Sequence, residues 1–285
     1  MLRPGVLRSV NHLDNLILAI IPYLQLPSLQ LPLGFGIHPF GIFVALGLIV
    51  GASVTSRAAR RYGPGNDEPL RDVVPWALGG GVLGAHLMHV LGYHPEQLRE
   101  QGVVIGLLKL WDGLSSMGGV IGALIAIAVF FPARHERLRP YLNALALGTA
   151  PGWAIARIGC AVVHDHPGVL TRFPLAVAFP GGARHDLGLY DFFLLAALSV
   201  FLYLLARRRP PDGTLMGVLA AGYSAPRFFL DFLRASDLPY VDGRILGLTP
   251  AQYVLPVLFG LGVALVVQGR RKRIFSPMAI PSAPK

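Results

Sequence analysis

Apolar stretches long enough to cross a bilayer, or nearly so, alternate with short polar segments along most of the chain. Seven can be marked, and they cover residues 37–57, 73–93, 115–132, 141–162, 189–206, 213–233 and 250–268. Because a membrane-spanning helix needs about 20 predominantly apolar residues, the pattern predicts an all-α polytopic membrane protein with about seven transmembrane helices.

The two ends of the chain differ from this predicted transmembrane region of residues 37–268. Residues 1–36 are apolar but are interrupted by prolines, and no clean small-residue cleavage site follows their apolar part. This favours an N-terminal interfacial segment over a signal peptide. Residues 269–285 are predicted to form a basic cytoplasmic tail.

Basic residues are shared unevenly between the loops. The loops after the first, third and fifth stretches and the tail after the seventh hold more than half of the 25 lysine and arginine residues. Since cytoplasmic loops carry an excess of such residues, the N-terminus is expected outside and the C-terminus in the cytoplasm. The outward segments 94–113, 163–188 and 234–249 have the Gly, Pro and Asp content of loops or re-entrant segments and would form a small periplasmic cap.

Composition narrows the class of protein. Charged residues are 14% and hydrophobic residues 53% of the 285 positions, whereas soluble domains carry about 25% charged residues, so a soluble enzyme and a disordered protein are excluded. The cytoplasmic loops account for the net charge of +10, and no nucleic-acid partner is expected. A single cysteine excludes a disulfide scaffold and a multi-cysteine zinc site, and no metal or cofactor is predicted.

Two arginines, Arg157 and Arg227, fall inside apolar stretches, where an ionisable group is costly and is a functional candidate by default. Helical spacing places Cys160 and His164 on the face of Arg157, and Asp231 and Arg234 on the face of Arg227. Arg157 could instead reach the lipid headgroups, and Arg227 could be a structural partner of Asp231. Together the two arginines favour one anionic ligand, and a guanidinium group suits phosphate. At this depth the natural phosphate belongs to a phospholipid.

Further polar residues lie close to the fourth and fifth stretches. Residues 164–166, His-Asp-His, could ligate a metal or could form a loop in which Asp165 orients one imidazole. The absence of another ligand at a recognisable spacing favours the loop, and a histidine base remains open. Cys160 is better explained as a small apolar residue than as a nucleophile. Tyr190 suits the aromatic belt, and Asp191 is expected to pair with one of the arginines.

A set of short motifs resembles, in chain order over about residues 36–268, those of the bacterial prolipoprotein diacylglyceryl transferases. The motifs are His38-Pro39-Phe40-Gly41-Ile42, Trp111-Asp112-Gly113, Gly118-Gly119-Val120-Ile121-Gly122, Ala156-Arg157-Ile158-Gly159 with Gly168, Phe173 to Pro180, Arg184-His185, Leu189-Tyr190-Asp191, Gly222-Tyr223 to Arg227-Phe228, Asp231-Phe232, Arg234 and Gln252. No single motif is strong, but the ordered set is specific.

The resemblance implies an enzyme of the bacterial inner membrane with seven spans. Such an enzyme moves the diacylglyceryl group of phosphatidylglycerol onto the lipobox cysteine in the signal peptide of a preprolipoprotein, and it releases glycerol phosphate. Arg157 and Arg227 would bind the phosphate and stabilise its departure, and a histidine would take the thiol proton. His185 matches a family histidine, with His164 and Asp165 as further catalytic candidates. Supporting roles would fall to Tyr190, Asp191, Asp231, Arg234, Gly118, Gly119, Gly159 and Gly168.

The chain departs from the family pattern at several positions. Met117 replaces the histidine before the paired glycines, and Cys160 replaces the asparagine of the signature. Residues 163–165, Val-His-Asp, replace Asn-Gly-Glu, and Asp186 replaces the proline of a His-Pro pair. These departures keep open an inactive paralogue that binds phospholipid or lipoprotein precursors. A lipid flippase or a small-solute transporter fits the spans but not the ordered motifs.

Overall fold

The computed structural model describes residues 21–24, 26–30, 36–93, 96–109, 115–238, 244 and 246–275. Three predicted features lie outside these ranges, namely residues 1–20 of the interfacial segment, the Trp111-Asp112-Gly113 motif and residues 276–285 of the tail. The side chain of Met117 is also outside the description.

Most of the described residues are helical. The helices are Pro39–Tyr62 (α1), Glu68–Met88 (α2), Glu96–Gln101 (α3), Val103–Leu108 (α4), Ser116–Ala133 (α5), Leu142–Val163 (α6), Leu187–Ala206 (α7), Thr214–Leu230 (α8) and Pro250–Phe275 (α9). A π-helical turn, His89–Tyr93, follows α2, and 3₁₀ turns at Arg139–Tyr141 and Asp231–Leu233 precede α6 and follow α8.

Five helical segments are long and apolar enough to cross a membrane. They are Pro39–Tyr62, Glu68–Leu91, Arg139–Val163, Leu187–Ala206 and Pro250–Arg271. The predicted stretches 115–132 and 213–233 are helical as well, but α5 has 18 residues and α8 has 17. The prediction of a mostly helical, polytopic membrane protein is therefore confirmed.

The segment 163–188, predicted as loop or re-entrant structure, contains a three-stranded antiparallel sheet. Its strands are Pro167–Leu170 (β3), Val177–Phe179 (β4) and Gly182–Asp186 (β5), and β5 lies between the other two. A tight turn joins β4 to β5, with φ of 101° at Gly181 and 133° at Gly182, values that glycine adopts without strain. A second, two-stranded sheet pairs Leu29–Gln30 (β1) with Gly36–Ile37 (β2).

The N-terminal segment adds to the free edge of the larger sheet. Ile21 pairs in parallel with Val177, and the N–H of Ala178 donates to the carbonyl of Ile21 over 3.0 Å. Two residues further on, the ring of Tyr23 stacks on the ring of His164 with centroids 4.3 Å apart. Within the predicted interfacial segment, Ile21 therefore pairs with the edge of this sheet and Tyr23 packs on His164.

The chain divides into two compact units, residues 56–144 and the remainder. In the smaller unit, α2 packs directly on α5 through glycines. A Cβ atom on Gly84 would lie 2.5 Å from the carbonyl oxygen of Gly118 and 2.7 Å from Cα of Gly122. A Cβ on Gly118 would clash with Gly84, whereas one on Gly119 would make ordinary contacts. Close helix packing therefore explains Gly118, but it does not explain Gly119.

In the larger unit, glycines again allow helices to approach closely. A Cβ on Gly159 of α6 would lie 3.0 Å from Cβ of Phe43 and 3.3 Å from Cα of Phe40, both on α1. A Cβ on Gly217 of α8 would lie 2.5 Å from the carbonyl oxygen of Gly262 on α9. Backbone packing of this kind holds α6 and α8, the helices that carry Arg157 and Arg227.

Candidate functional site

The carboxylate of Asp191 lies between two buried arginines, Arg157 and Arg227. Its Oδ2 atom is 3.3 Å from Nε of Arg157 on α6 and 3.3 Å from Nε of Arg227 on α8. The side chain of Asp191 is fully buried, and those of Arg157 and Arg227 are 16% and 6% exposed. The predicted pairing of Asp191 with an arginine is confirmed, and the structure shows that it joins both.

The charged cluster continues beyond the end of α8. Asp231 is fully buried, and its Oδ1 lies 2.8 Å from Nη1 of Arg227 and 3.4 Å from Nε of Arg234. The hydroxyl of Thr249 donates to the other oxygen of Asp231. Gln252, at the start of α9, donates to the carbonyl of Phe228 over 3.0 Å. The predicted Arg227–Asp231 pair is thus confirmed, and Thr249, the residue before α9, also binds Asp231.

The arginine cluster retains unused hydrogen-bonding capacity. Nε of Arg157 and Nη1 of Arg227 are buried, and their contacts with Asp191 and Asp231 are ion pairs that lack the alignment of a normal hydrogen bond. Arg157 does donate weakly, over 3.4 Å to the hydroxyl of Tyr223 and over 3.6 Å to Sγ of Cys160. The two buried guanidinium groups are held mainly by ion pairs. They can therefore form hydrogen bonds with a further anion.

His164 is held by a residue that the sequence analysis did not pair with it. Its Nδ1 atom donates to Oδ2 of Asp186 over 2.7 Å. Asp186 also caps α7, because its Oδ1 accepts the N–H of Leu189 over 2.9 Å. The imidazole is covered by Tyr23 on one side, and the ring of Phe179 lies edge-on at 5.0 Å. His164 is therefore a buried residue that links the end of α6 to the start of α7.

His185 lies on the other side of strand β5. Side chains alternate along a strand, so His185 points away from the face that carries Arg184 and Asp186. Its Nδ1 atom lies 2.8 Å from the hydroxyl of Tyr190, which donates to the carbonyl of Leu175 over 3.3 Å. Nδ1 of His185 is then the donor in its own bond, which leaves the lone pair of a neutral ring on Nε2. Burial lowers the pKa of His185.

Asp165 and His166 lie close to the arginine cluster. Sγ of Cys160, a carboxylate oxygen of Asp165 and a ring nitrogen of His166 lie within 4.8 Å of one another. Burial, and then the charges of Arg157, Arg234 and Arg227, lower the pKa of His166 to about 3. Burial raises the pKa of Asp165 to about 6. These cationic neighbours disfavour a metal cation, so the three donors do not make a convincing metal site.

A buried arginine ties the sheet to the segment after α8. Nη1 of Arg184 donates to the carbonyl of Gly168 over 3.0 Å, and both Nη atoms of Arg184 bind the carboxylate of Asp237. These bonds lower the pKa of Asp237. A Cβ on Gly168 would lie 2.8 Å from the carbonyl oxygen of Leu233 and 2.7 Å from Cβ of His185. Gly168 is therefore required for the sheet to pack on this segment.

The structure brings some predicted residues together and separates others. Arg157, Asp191, Arg227, Asp231 and Arg234 form one buried cluster, and Asp165 lies within its electrostatic reach. Gly118 and Gly119 belong to the smaller unit. Tyr23, Asp237 and Thr249 were not expected at the site, and no local motif distinguishes them. For Asp186, the available signal was a polar residue directly before an apolar run.

These features define a multi-pass membrane protein with a buried arginine–aspartate cluster beneath a small sheet. The chain belongs to the prolipoprotein diacylglyceryl transferase family, whose sequence profile matches residues 28–268. The predicted family is thereby confirmed.

Similar proteins named phosphatidylglycerol–prolipoprotein diacylglyceryl transferase occur in several bacteria. The protein from Cereibacter sphaeroides is 29% identical in an alignment of 292 positions that covers 87% of this chain and 99% of that protein. The Agrobacterium fabrum protein is 29% identical, covering 89% and 95%. The Pseudomonas paraeruginosa protein is 28% identical, covering 91% and 100%.

Proposed function

We propose that this protein transfers the diacylglyceryl group of phosphatidylglycerol to the lipobox cysteine of preprolipoproteins and releases glycerol phosphate. Family membership and the names of the relatives support the reaction. The observation that carries the site is the pair of buried guanidinium groups on one carboxylate, where donor atoms are held by ion pairs without well-aligned hydrogen bonds. The partners would be phosphatidylglycerol, the signal peptides of preprolipoproteins and the surrounding membrane lipids.

The proposal includes seven spans in the bacterial inner membrane, with residues 1–36 outside and the tail 269–285 in the cytoplasm. Helices at all seven predicted positions support this count. The excess of basic residues in alternate loops supports the orientation. The sheet β3–β5 would then lie on the periplasmic side, where the thiol of a translocated signal peptide arrives.

Arg157 and Arg227 would bind the lipid phosphate. A planar guanidinium group forms paired hydrogen bonds with phosphate and keeps its charge when it is buried. As the carbon–oxygen bond breaks, negative charge grows on the phosphate, and fixed cations in a site that excludes water stabilise that charge strongly. Asp231 and Arg234 would keep Arg227 in position, and Gly159 and Gly168 would allow the close packing around the site.

The thiol must also lose its proton, because the thiolate is the nucleophile. We assign this task to a histidine of the cap, for which His185 and residues 164–166 are the candidates. Nε2 of His185 has the lone pair that a base requires, given the bond of Nδ1 to Tyr190. His164 has an orienting carboxylate in Asp186.

Arginine substitutions test the phosphate role. Transfer of radiolabelled diacylglyceryl from phosphatidylglycerol to a lipobox peptide should fall about 10²–10³-fold in Arg157→Ala and Arg227→Ala, the usual loss for one stabilising donor. Arg208→Ala, at an exposed position after α7, is the matched control. Full transfer by both site variants would disprove this role.

Complementation separates the enzyme from its main alternative. Rescue of a strain depleted of its own transferase identifies an active enzyme. Good expression and phosphatidylglycerol binding without rescue would instead identify a non-catalytic paralogue that binds phospholipid or lipoprotein precursors.

A further inference from the structure

The transfer requires a proton acceptor at a defined distance from the phosphate. The new bond joins the thiol sulfur to a glyceryl carbon, the bond between that carbon and a phosphate oxygen breaks, and its electron pair stays on the phosphate. Reacting atoms in productive geometry are about 3–3.5 Å apart, and attack is in line with the leaving group. The base therefore has to lie close to the phosphate-binding guanidinium groups, separated from them by the reacting carbon and the sulfur.

His166 lies close to the arginine cluster. Its ring nitrogen is within 4.8 Å of Sγ of Cys160, and that sulfur is 3.6 Å from Nη1 of Arg157. The charges of Arg157, Arg234 and Arg227 all act on the imidazole. About a quarter of the side chain is exposed, so a second substrate can reach it.

The other two histidines of the cap, His164 and His185, do not combine closeness to the arginine cluster with exposure to a second substrate. His164 is only 6% exposed, its Nδ1 is taken by Asp186, and its Nε2 is buried. His185 lies on the opposite side of β5, and burial is the only cause that shifts its pKa.

We propose that His166 accepts the proton of the incoming thiol and that Asp165 is its positioning partner. This inference rests on the proposed transferase function and assigns its base. Oδ1 of Asp165 lies 3.8 Å from Nε2 of His166, close enough to favour the imidazolium once it forms. After transfer, the imidazolium returns the proton to the departing glycerol phosphate, which balances the reaction.

Lipid binding would strengthen this base. Without an anionic ligand, burial and the arginine charges keep the imidazole neutral. The phosphate of a bound lipid offsets those positive charges, and an anion near an imidazole raises its pKa. His166 therefore becomes a better proton acceptor when phosphatidylglycerol occupies the arginines.

The test compares His166→Ala and His166→Asn with the parent protein, with His135→Ala at an exposed loop position as the control. Transfer to a lipobox peptide is measured from pH 6.5 to pH 9. Binding to vesicles of phosphatidylglycerol and phosphatidylethanolamine is measured in parallel. Loss of a general base lowers the rate about 10²–10⁴-fold, so both His166 variants should lose transfer to this extent at pH 7 and should still bind the vesicles.

The pH profile distinguishes a base from a structural residue. Below the thiol pKa of about 8.5, spontaneous thiolate increases tenfold per pH unit, so the defect of His166→Ala should shrink by about that factor. A defect that is constant with pH would overturn the proposal, as would parental activity in both variants. The same pH-dependent loss in His185→Ala instead would also overturn it. A parent protein that transfers no diacylglyceryl would disprove the transferase function itself.

Discussion

Nδ1 of His164 lies 2.7 Å from Oδ2 of Asp186, and both side chains are almost completely buried. The two residues are 22 positions apart and stand at two of the positions where the chain departs from its family pattern. The contact joins the residue that follows α6 to the residue that caps α7. It therefore connects the helix that carries Arg157 to the helix that carries Asp191.

Substitution of this pair should lower the stability of the protein. His164→Ala leaves a buried carboxylate oxygen unpaired, which costs about 1–3 kcal/mol. Asp186→Ala also removes the helix cap, which adds about 1 kcal/mol. The double variant should lose less than the sum of the two single variants, as measured by unfolding in detergent. Strictly additive losses would show that the two groups are not coupled.

Asp191→Asn should be among the most destabilising single substitutions in the larger unit. It removes the charge that faces both Arg157 and Arg227, and breaking a buried ion pair costs about 3–5 kcal/mol. Asp212→Asn, at an exposed position before α8, should leave the unfolding temperature unchanged. Phosphatidylglycerol should restore part of the loss in the Asp191 variant, because a ligand that binds only the folded state stabilises it. Equal unfolding temperatures for the two variants would contradict this expectation.

Two glycines of α2 should respond in opposite ways to alanine. A Cβ on Gly84 would press on backbone atoms of Gly118 and Gly122, which cannot move aside, and overpacking of this kind costs about 1–3 kcal/mol. A Cβ on Gly79 has no other atom within 4 Å among the described residues, so Gly79→Ala should gain about 0.5–1 kcal/mol from helix propensity. Thermal unfolding of both variants checks the prediction, and a stable Gly84→Ala protein would contradict the described packing of α2 on α5.

The stability of the protein should depend on Asp165 between about pH 4 and pH 6. Burial raises the pKa of Asp165 from 3.8 to about 6, so in this range the folded protein binds a proton that the unfolded chain has lost. Stability conferred by this residue therefore falls as the pH rises through the range. Asp165→Asn should flatten this dependence and should stabilise the protein at pH 7. Because 39% of the side chain is exposed, the gain is expected to be about 1 kcal/mol.

The same variant should transfer diacylglyceryl more slowly, since it removes the partner of His166. Unfolding curves at pH 4, 5, 6 and 7 and transfer rates at pH 7 measure the two effects separately. A variant with the parental pH dependence of unfolding would refute the assignment of this titration to Asp165.

The sequence was sufficient to identify the charged residues of the site, because charged residues are rare in apolar stretches. Arg157, Arg227 and Asp231 stand in apolar runs, where each charge needs a partner or a ligand. That Asp191 serves both arginines depends on how α6, α7 and α8 pack, and a one-dimensional pattern does not contain that geometry. The spacing of Arg227 and Asp231 within one helix, by contrast, was sufficient to pair them.

The cap was harder to predict. Strands of three to five residues are too short to establish an alternating pattern, and their glycines and prolines resemble those of loops. The contact of His164 with Asp186 depends on the pairing of β3 with β5. The contact of Tyr23 with His164 depends on a parallel bridge from a distant part of the chain. The glycine pair 118–119 was visible in the sequence, but only the structure shows that Gly118 is the one that packs against α2.

The shared carboxylate of Asp191 also affects how a lipid is recognised. An arginine that is free in solution loses about 1.5–2 kcal/mol of side-chain entropy when it is fixed. Here the two guanidinium groups are already fixed, because one oxygen holds both at 3.3 Å. An arriving phosphate therefore adds to, or replaces, an internal anion instead of ordering two flexible chains. Before a lipid binds, Asp191 thus provides the negative charge that the headgroup phosphate would provide afterwards. Lipid recognition then becomes an exchange of one anionic partner of the arginines for another.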